Sequence, residues 1–85
     1  MIKVIEKSRI STELEWQTDT FECETITDWV KKFNFPFYNQ TDEEWAKATK
    51  ECEIEQMALP ENERRYMIIE PKNWYEMFKS ENHIS

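Results

Sequence analysis

The chain of 85 residues contains no glycine, where average usage of about 7% would supply roughly six. Every tight turn must therefore be built by residues that carry a Cβ, and positive backbone φ angles fall to Asn or Asp. Asn34, Asn39, Asn62 and Asn73 each stand between apolar runs and are the expected turn residues. The same absence removes glycine-built phosphate loops of the Walker and dinucleotide types, because their backbone amides approach phosphate only where no side chain intervenes. Nucleotide-dependent chemistry is disfavoured from the outset, and no cofactor is expected.

Hydrophobic periodicity supplies the elements. Ile2 to Glu6 is short and β-branched and reads as a first strand. Thr12 to Trp16 alternates, with Leu14 and Trp16 facing one way and Glu13 and Glu15 the other. Thr20 to Glu24 repeats the pattern with Phe21 and Cys23 against Glu22 and Glu24. With Gln17-Thr18-Asp19 as the turn, the segment 12–24 is expected to be a hairpin. The period then changes: Ile26, Trp29, Val30 and Phe33 recur at helical spacing behind Thr25 and Asp28, which are placed as a variant capping box. Thr41 and Glu44 form a better box. They open a helix with Trp45, Ala48 and Cys52 on one face and Asp42, Glu43 and Glu44 at its N-terminus, where acids complement the helix dipole. Arg65 to Glu70 is nearly continuous in apolar residues, the pattern of a central strand. Pro71 stops it, and Trp74, Met77 and Phe78 fit a last helix, with a strand over 72–79 as the alternative. The fold class expected is α+β: a small antiparallel sheet of three to four strands packed on two or three short helices. It occupies a single domain over 1–79, with a flexible tail over 80–85.

The core is affordable because 39% of residues are hydrophobic and the aromatics number four Trp, three Tyr and five Phe. No segment approaches the roughly 18 apolar residues of a membrane span, and the first ten residues lack the apolar run of a signal peptide, so a cytoplasmic location is expected. In that reducing setting Cys23 and Cys52 are expected to be small buried hydrophobes. Together with His83 they offer neither the number nor the spacing of a structural metal site, so no metal ligands are assigned. No nucleophile with its base is signalled, and His83 lies in the tail, so no catalytic residue is assigned and the chain is not read as an enzyme.

What remains is charge. The formal net charge is −7, from 18 acids and 11 bases. This disfavours direct binding to nucleic acid or anionic membrane and favours a protein partner with a basic surface. The charge is concentrated in residues 10–63, which hold 14 acids and four bases, and no base lies between Arg9 and Lys31. On the hairpin reading Glu13, Glu15, Glu22 and Glu24 share one face, with Asp19 at the turn. Two strands with a charge every 6.7 Å or so average one charge per roughly 3.4 Å, comparable to a single nucleic-acid strand. That face is either a solvated surface or a docking surface for a cationic groove. Asp42 and Glu43 extend it if they flank the hairpin. Size and charge of this kind occur among phage-encoded inhibitors of host enzymes, including DNA-mimicking anti-restriction and anti-CRISPR proteins, though no motif carries the likeness. The leading expectation is thus an acidic inhibitor that fills a basic groove of a nucleic-acid-handling enzyme. The alternative is an adaptor or assembly subunit that binds through the aromatic loop, with Phe35 and Phe37 as anchors beside Pro36, and through Trp74 to Phe78. The competing reading of Phe35 and Phe37 is that they close the core.

Overall fold

The computed structural model describes residues 1–34 and 39–84. Strand β1 (Ile2–Ser8) lies at the centre of a three-stranded antiparallel sheet, between β2 (Gln17–Cys23) and β3 (Tyr66–Glu70). Helices α1 (Ile26–Phe33) and α2 (Asp42–Met57) follow β2, a single 3-10 turn (Glu61–Glu63) precedes β3, and α3 (Trp74–Glu81) follows it. The expected fold class is the observed one.

Its strand pairing differs from the expected hairpin. β2 begins where the turn was expected and pairs with β1, Ile2 opposite Cys23, Val4 opposite Phe21 and Glu6 opposite Asp19. Thr12–Trp16 is not a strand but part of the loop joining β1 to β2. The local reason is a turn in which the Leu14 amide donates to the Ser11 carbonyl at 3.1 Å and the Glu13 amide donates to Ser11 Oγ at 3.2 Å. Leu14, expected to share a strand face with Trp16, is 52% exposed. The loop is held by Arg9 instead. Its guanidinium donates to the carbonyls of Arg64 (2.8 Å), Leu14 (3.3 Å), Asn62 (3.3 Å) and Glu61 (3.4 Å), and stacks 4.1 Å from the centre of the Trp16 ring. A guanidinium suits this role because its planar fork offers several donors while its face packs on an indole.

β3 is an edge strand, not the central one. A register shift between Ile5 and Glu6 leaves Ile69 as the extra residue on β3, and Ile69 is exposed. β1 is central although it carries Lys3, Glu6 and Lys7, because one of its faces stays open. By alternation Ile2, Val4 and Glu6 point toward the helices, while Lys3, Ile5 and Lys7 share the other face with Thr18, Thr20 and Glu22.

The helices start where their caps require. Thr25 Oγ1 accepts from the Asp28 amide at 3.1 Å, and Thr41 and Glu44 complete a reciprocal box, with bonds of 3.1 and 2.9 Å. Their inward faces build the core of Val4, Ile26, Trp29, Val30, Ala46, Ile68, Trp74 and Phe78. Trp29 is its hub: its ring lies edge-on to Trp74 at 5.3 Å and to Trp45 at 5.6 Å, and tilted to Phe33 at 6.0 Å. Such pairs each add roughly 0.5–1.5 kcal/mol beyond the area they bury. Ser80 and Glu81, expected in the tail, belong to α3, and Ile84 packs against the core. Without glycine, the left-handed backbone falls to Asn39 (φ 52°) and His83 (φ 57°) among the described residues, both from the side-chain types that tolerate it best. Asn34, Asn62 and Asn73 make their turns at negative φ or in the 3-10 turn.

Candidate functional site

Helix α3 packs against both α1 and α2, its Trp74 and Phe78 filling the core between them. The described residues also leave a cavity of about 440 Å³ between α1 and α2, lined by Trp29 and Phe33 of α1, Trp45, Ala48, Thr49 and Cys52 of α2, Gln40, Glu6 and Tyr66. The volume is in the range of small-ligand pockets. The α2 face read from the sequence, Trp45, Ala48 and Cys52, is therefore the wall of this cavity and not part of the buried core. Ala48 and Cys52 are exposed, which corrects the expectation that Cys52 is buried; Cys23 is half-buried.

One acid lies on the cavity floor. Glu6 follows Ile2 and Val4 on the inward side of β1, a position where alternation calls for an apolar side chain. Its Oε2 accepts from the Tyr66 hydroxyl at 2.9 Å. Burial pushes the Glu6 carboxyl above the ordinary carboxylate range, the Tyr66 bond acts in the opposite sense, and Asp19 across the ladder adds to the rise. Burial, and then the neighbouring Glu6 charge, hold the Tyr66 phenol far above its usual range. Among the described residues, no basic side chain lines the cavity. The buried indole Nε1 of Trp29, on the wall, has no hydrogen-bond partner among the described residues.

A second cavity, of about 580 Å³, lies along the loop between β1 and β2, lined by Arg9, Glu15 and Trp16 among others. It already contains a cation, the guanidinium of Arg9 stacked on Trp16. The two cavities differ in that respect: one holds a carboxylate without a cation, the other a cation resting on an indole.

The acids expected to form one strand face do not form it. Glu13 and Glu15 are exposed in the loop, Glu24 follows β2, Glu22 stands opposite Lys3 on the open sheet face, and Asp19 is on the helix-facing side opposite Glu6. The evenly spaced charge ladder depended on a strand over 12–16 and lapses with it. Asp42 is half-buried and accepts from Asn34 Nδ2 at 2.9 Å, tying the start of α2 to the end of α1, while Glu43 is exposed. Phe35 and Phe37 lie outside the described residues. Trp74 and Phe78 are 0% and 1% exposed and belong to the core, while Tyr75 and Met77 between them are half-buried. The acids still dominate the surface: all except Glu6, Asp42 and Glu53 are exposed, and among the described residues only Glu53 and Glu76 make ion pairs. Among the described residues there is no group of three or more metal-ligating side chains and no helix long and apolar enough to cross a membrane.

Sequence reasoning passed over Glu6, Trp29 and Tyr66 as site residues. The available signal was Glu6 itself, an acid at an inward position of a β-branched strand. No protein-family model, curated protein or solved structure matches this chain.

Proposed function

We propose that this chain is a binding protein whose carboxylate surface docks onto a basic surface of a protein partner, as an inhibitor does when it occupies a groove that handles nucleic acid. The observation that carries the reading is the excess of solvent-facing carboxylates without protein cations, in a molecule of net charge −7. Exposed like charges of this density repel one another and weaken the compact state. A cationic surface relieves that repulsion on contact and is drawn in at long range. The reading needs no evenly spaced ladder, only a field of one sign.

The test is capture of partners from cell lysate on the immobilised full chain, at low and at high salt and with duplex DNA as competitor. Proteins that bind at low salt, leave as salt rises and are displaced by DNA support the proposal. A complex that is retained unchanged at high salt and in the presence of DNA overturns it.

A further inference from the structure

We propose that the cavity between α1 and α2 receives one cationic side chain of a protein partner, arginine in preference to lysine, with its charge beside Glu6 and its flat face against the indole and phenol walls. The inference rests on the reading above for who presents the side chain, but the pocket's chemistry stands on its own geometry.

Three observations carry it. The first is composition of the walls: two tryptophans, a phenylalanine and a tyrosine are among the lining residues, and none of the described lining residues is basic. Aromatic faces are electronegative and attract cations most strongly where water is displaced. The second is that Glu6 has no cationic partner among the described residues. Tyr66 engages Oε2, no donor reaches Oε1 among the described residues, and the register neighbour on β2 is another acid, Asp19. A half-buried carboxylate with one neutral donor gains more from a cation than an exposed one does, because less solvent screens the pair. The third is that this molecule already makes the contact elsewhere: Arg9 places its guanidinium 4.1 Å from the Trp16 ring centre.

Arginine is preferred because a planar guanidinium both stacks on an indole and presents parallel N–H donors to a carboxylate, whereas an ammonium is a compact, strongly hydrated charge. About 440 Å³ accommodates either head group, so discrimination comes from stacking and hydration.

The test uses the full ¹⁵N-labelled chain and N-acetyl-arginine amide, followed through the indole N–H signals. Trp29 and Trp45 report on the cavity, while Trp16 and Trp74 serve as internal controls. Saturable shifts of Trp45 and Trp29 in the millimolar range are expected, with N-acetyl-citrulline amide, the neutral isostere, at least about tenfold weaker, because a tenfold loss is the least that removing a charge-assisted bond of about 1.4 kcal/mol produces. Glu6→Gln, which keeps an acceptor for Tyr66, loses the preference for arginine over citrulline. Ala48→Phe, at an exposed helix position, blocks the cavity without entering the core. Equal binding of citrulline, an unaltered Glu6→Gln titration, or shifts confined to Trp16 overturn the pocket assignment. The two proposals fail separately. Arginine binding with a salt-insensitive partner sinks the acidic-docking reading and leaves the pocket. Salt-sensitive capture without arginine binding does the reverse.

Discussion

Glu81, in the last turn of α3, caps the first turn of α1: its Oε1 accepts from the Thr27 hydroxyl at 2.6 Å and from the Thr27 amide at 2.8 Å, while Oε2 accepts from the Ile26 amide at 3.0 Å. Two of the orphan amides of α1 are thereby satisfied by a residue more than fifty positions away, and a negative charge sits at the positive end of the helix. Partial burial acts to raise the carboxyl's pKa, but the three bonds outweigh it and hold the group below the ordinary value of 4.5.

Glu81→Ala is expected to cost on the order of 1 kcal/mol, the exposed setting screening what a buried cap would contribute. Because its folded pKa is depressed, Glu81 stabilises the fold above pH 4.5 and loses that effect as pH falls through the folded value. Urea midpoints measured from pH 3 to pH 7 are expected to converge for the two proteins at the acid end; a constant difference across that range counts against the ionised cap.

Glu6 has the opposite slope. Its folded pKa is raised, so its contribution favours folding below the ordinary 4.5 and disappears as pH climbs through the folded value. Glu6→Gln is therefore expected to be more stable than the parent at pH 7, by about 0.5 kcal/mol once solvent screening is allowed for, or roughly 2–4 °C in Tm. Below pH 4 the gain vanishes. A thermal scan in which the variant melts lower at pH 7 refutes the account of Glu6 as an uncompensated carboxylate.

Glu53 is the most buried acid, 7% exposed. Its Oε1 accepts from Lys50 Nζ at 2.7 Å and from Trp74 Nε1 at 3.4 Å. Glu53→Ala leaves the Trp74 donor unpaired inside the core and the Lys50 ammonium without its counter-ion. A loss of about 1–3 kcal/mol in chemical unfolding is expected, with a changed Trp emission spectrum in the folded state. Lys50→Ala, whose partner keeps the indole bond, is expected to cost less.

Arg9→Lys tests whether the loop between β1 and β2 depends on a planar fork. A lysine cannot reach four carbonyls at once or lie flat on Trp16, so about 1 kcal/mol is expected to be lost. Hydrogen exchange localises the effect: amides of 10–16 and 61–64 should speed up while those of α1 stay protected.

Much of the fold was legible where a signal is local. The pairs Thr25 with Asp28 and Thr41 with Glu44 place helix starts within four residues, and both are observed as caps. The run from Tyr66 to Ile69 marks a strand for the same reason. Partnership is not local. Thr12–Trp16 alternates well enough for a strand, yet β1 has two edges and Gln17–Cys23 and Tyr66–Glu70 fill both, so the alternation had nothing to pair with. The cavity was still less legible, because its walls come from β1, α1, α2 and β3 and no window of sequence contains them together. Trp74 and Phe78 show the converse: aromatic residues near the end of a chain read equally well as anchors or as core, and only their position between α1 and α2 decides for core.

The sheet order also governs how the chain must assemble as it is made. β1 precedes the other described elements along this chain and is the middle strand of the sheet, and one of its edges has no partner until Tyr66–Glu70 has followed. A nascent chain thus carries an open strand edge while the residues between Ser8 and Tyr66 are made, the condition in which strands of different molecules pair with each other. Lys3 and Lys7 on the uncovered face, together with the inward Glu6, make that edge a poor template for a second apolar strand. The charges that look out of place in a central strand are the ones that keep it single until β3 arrives.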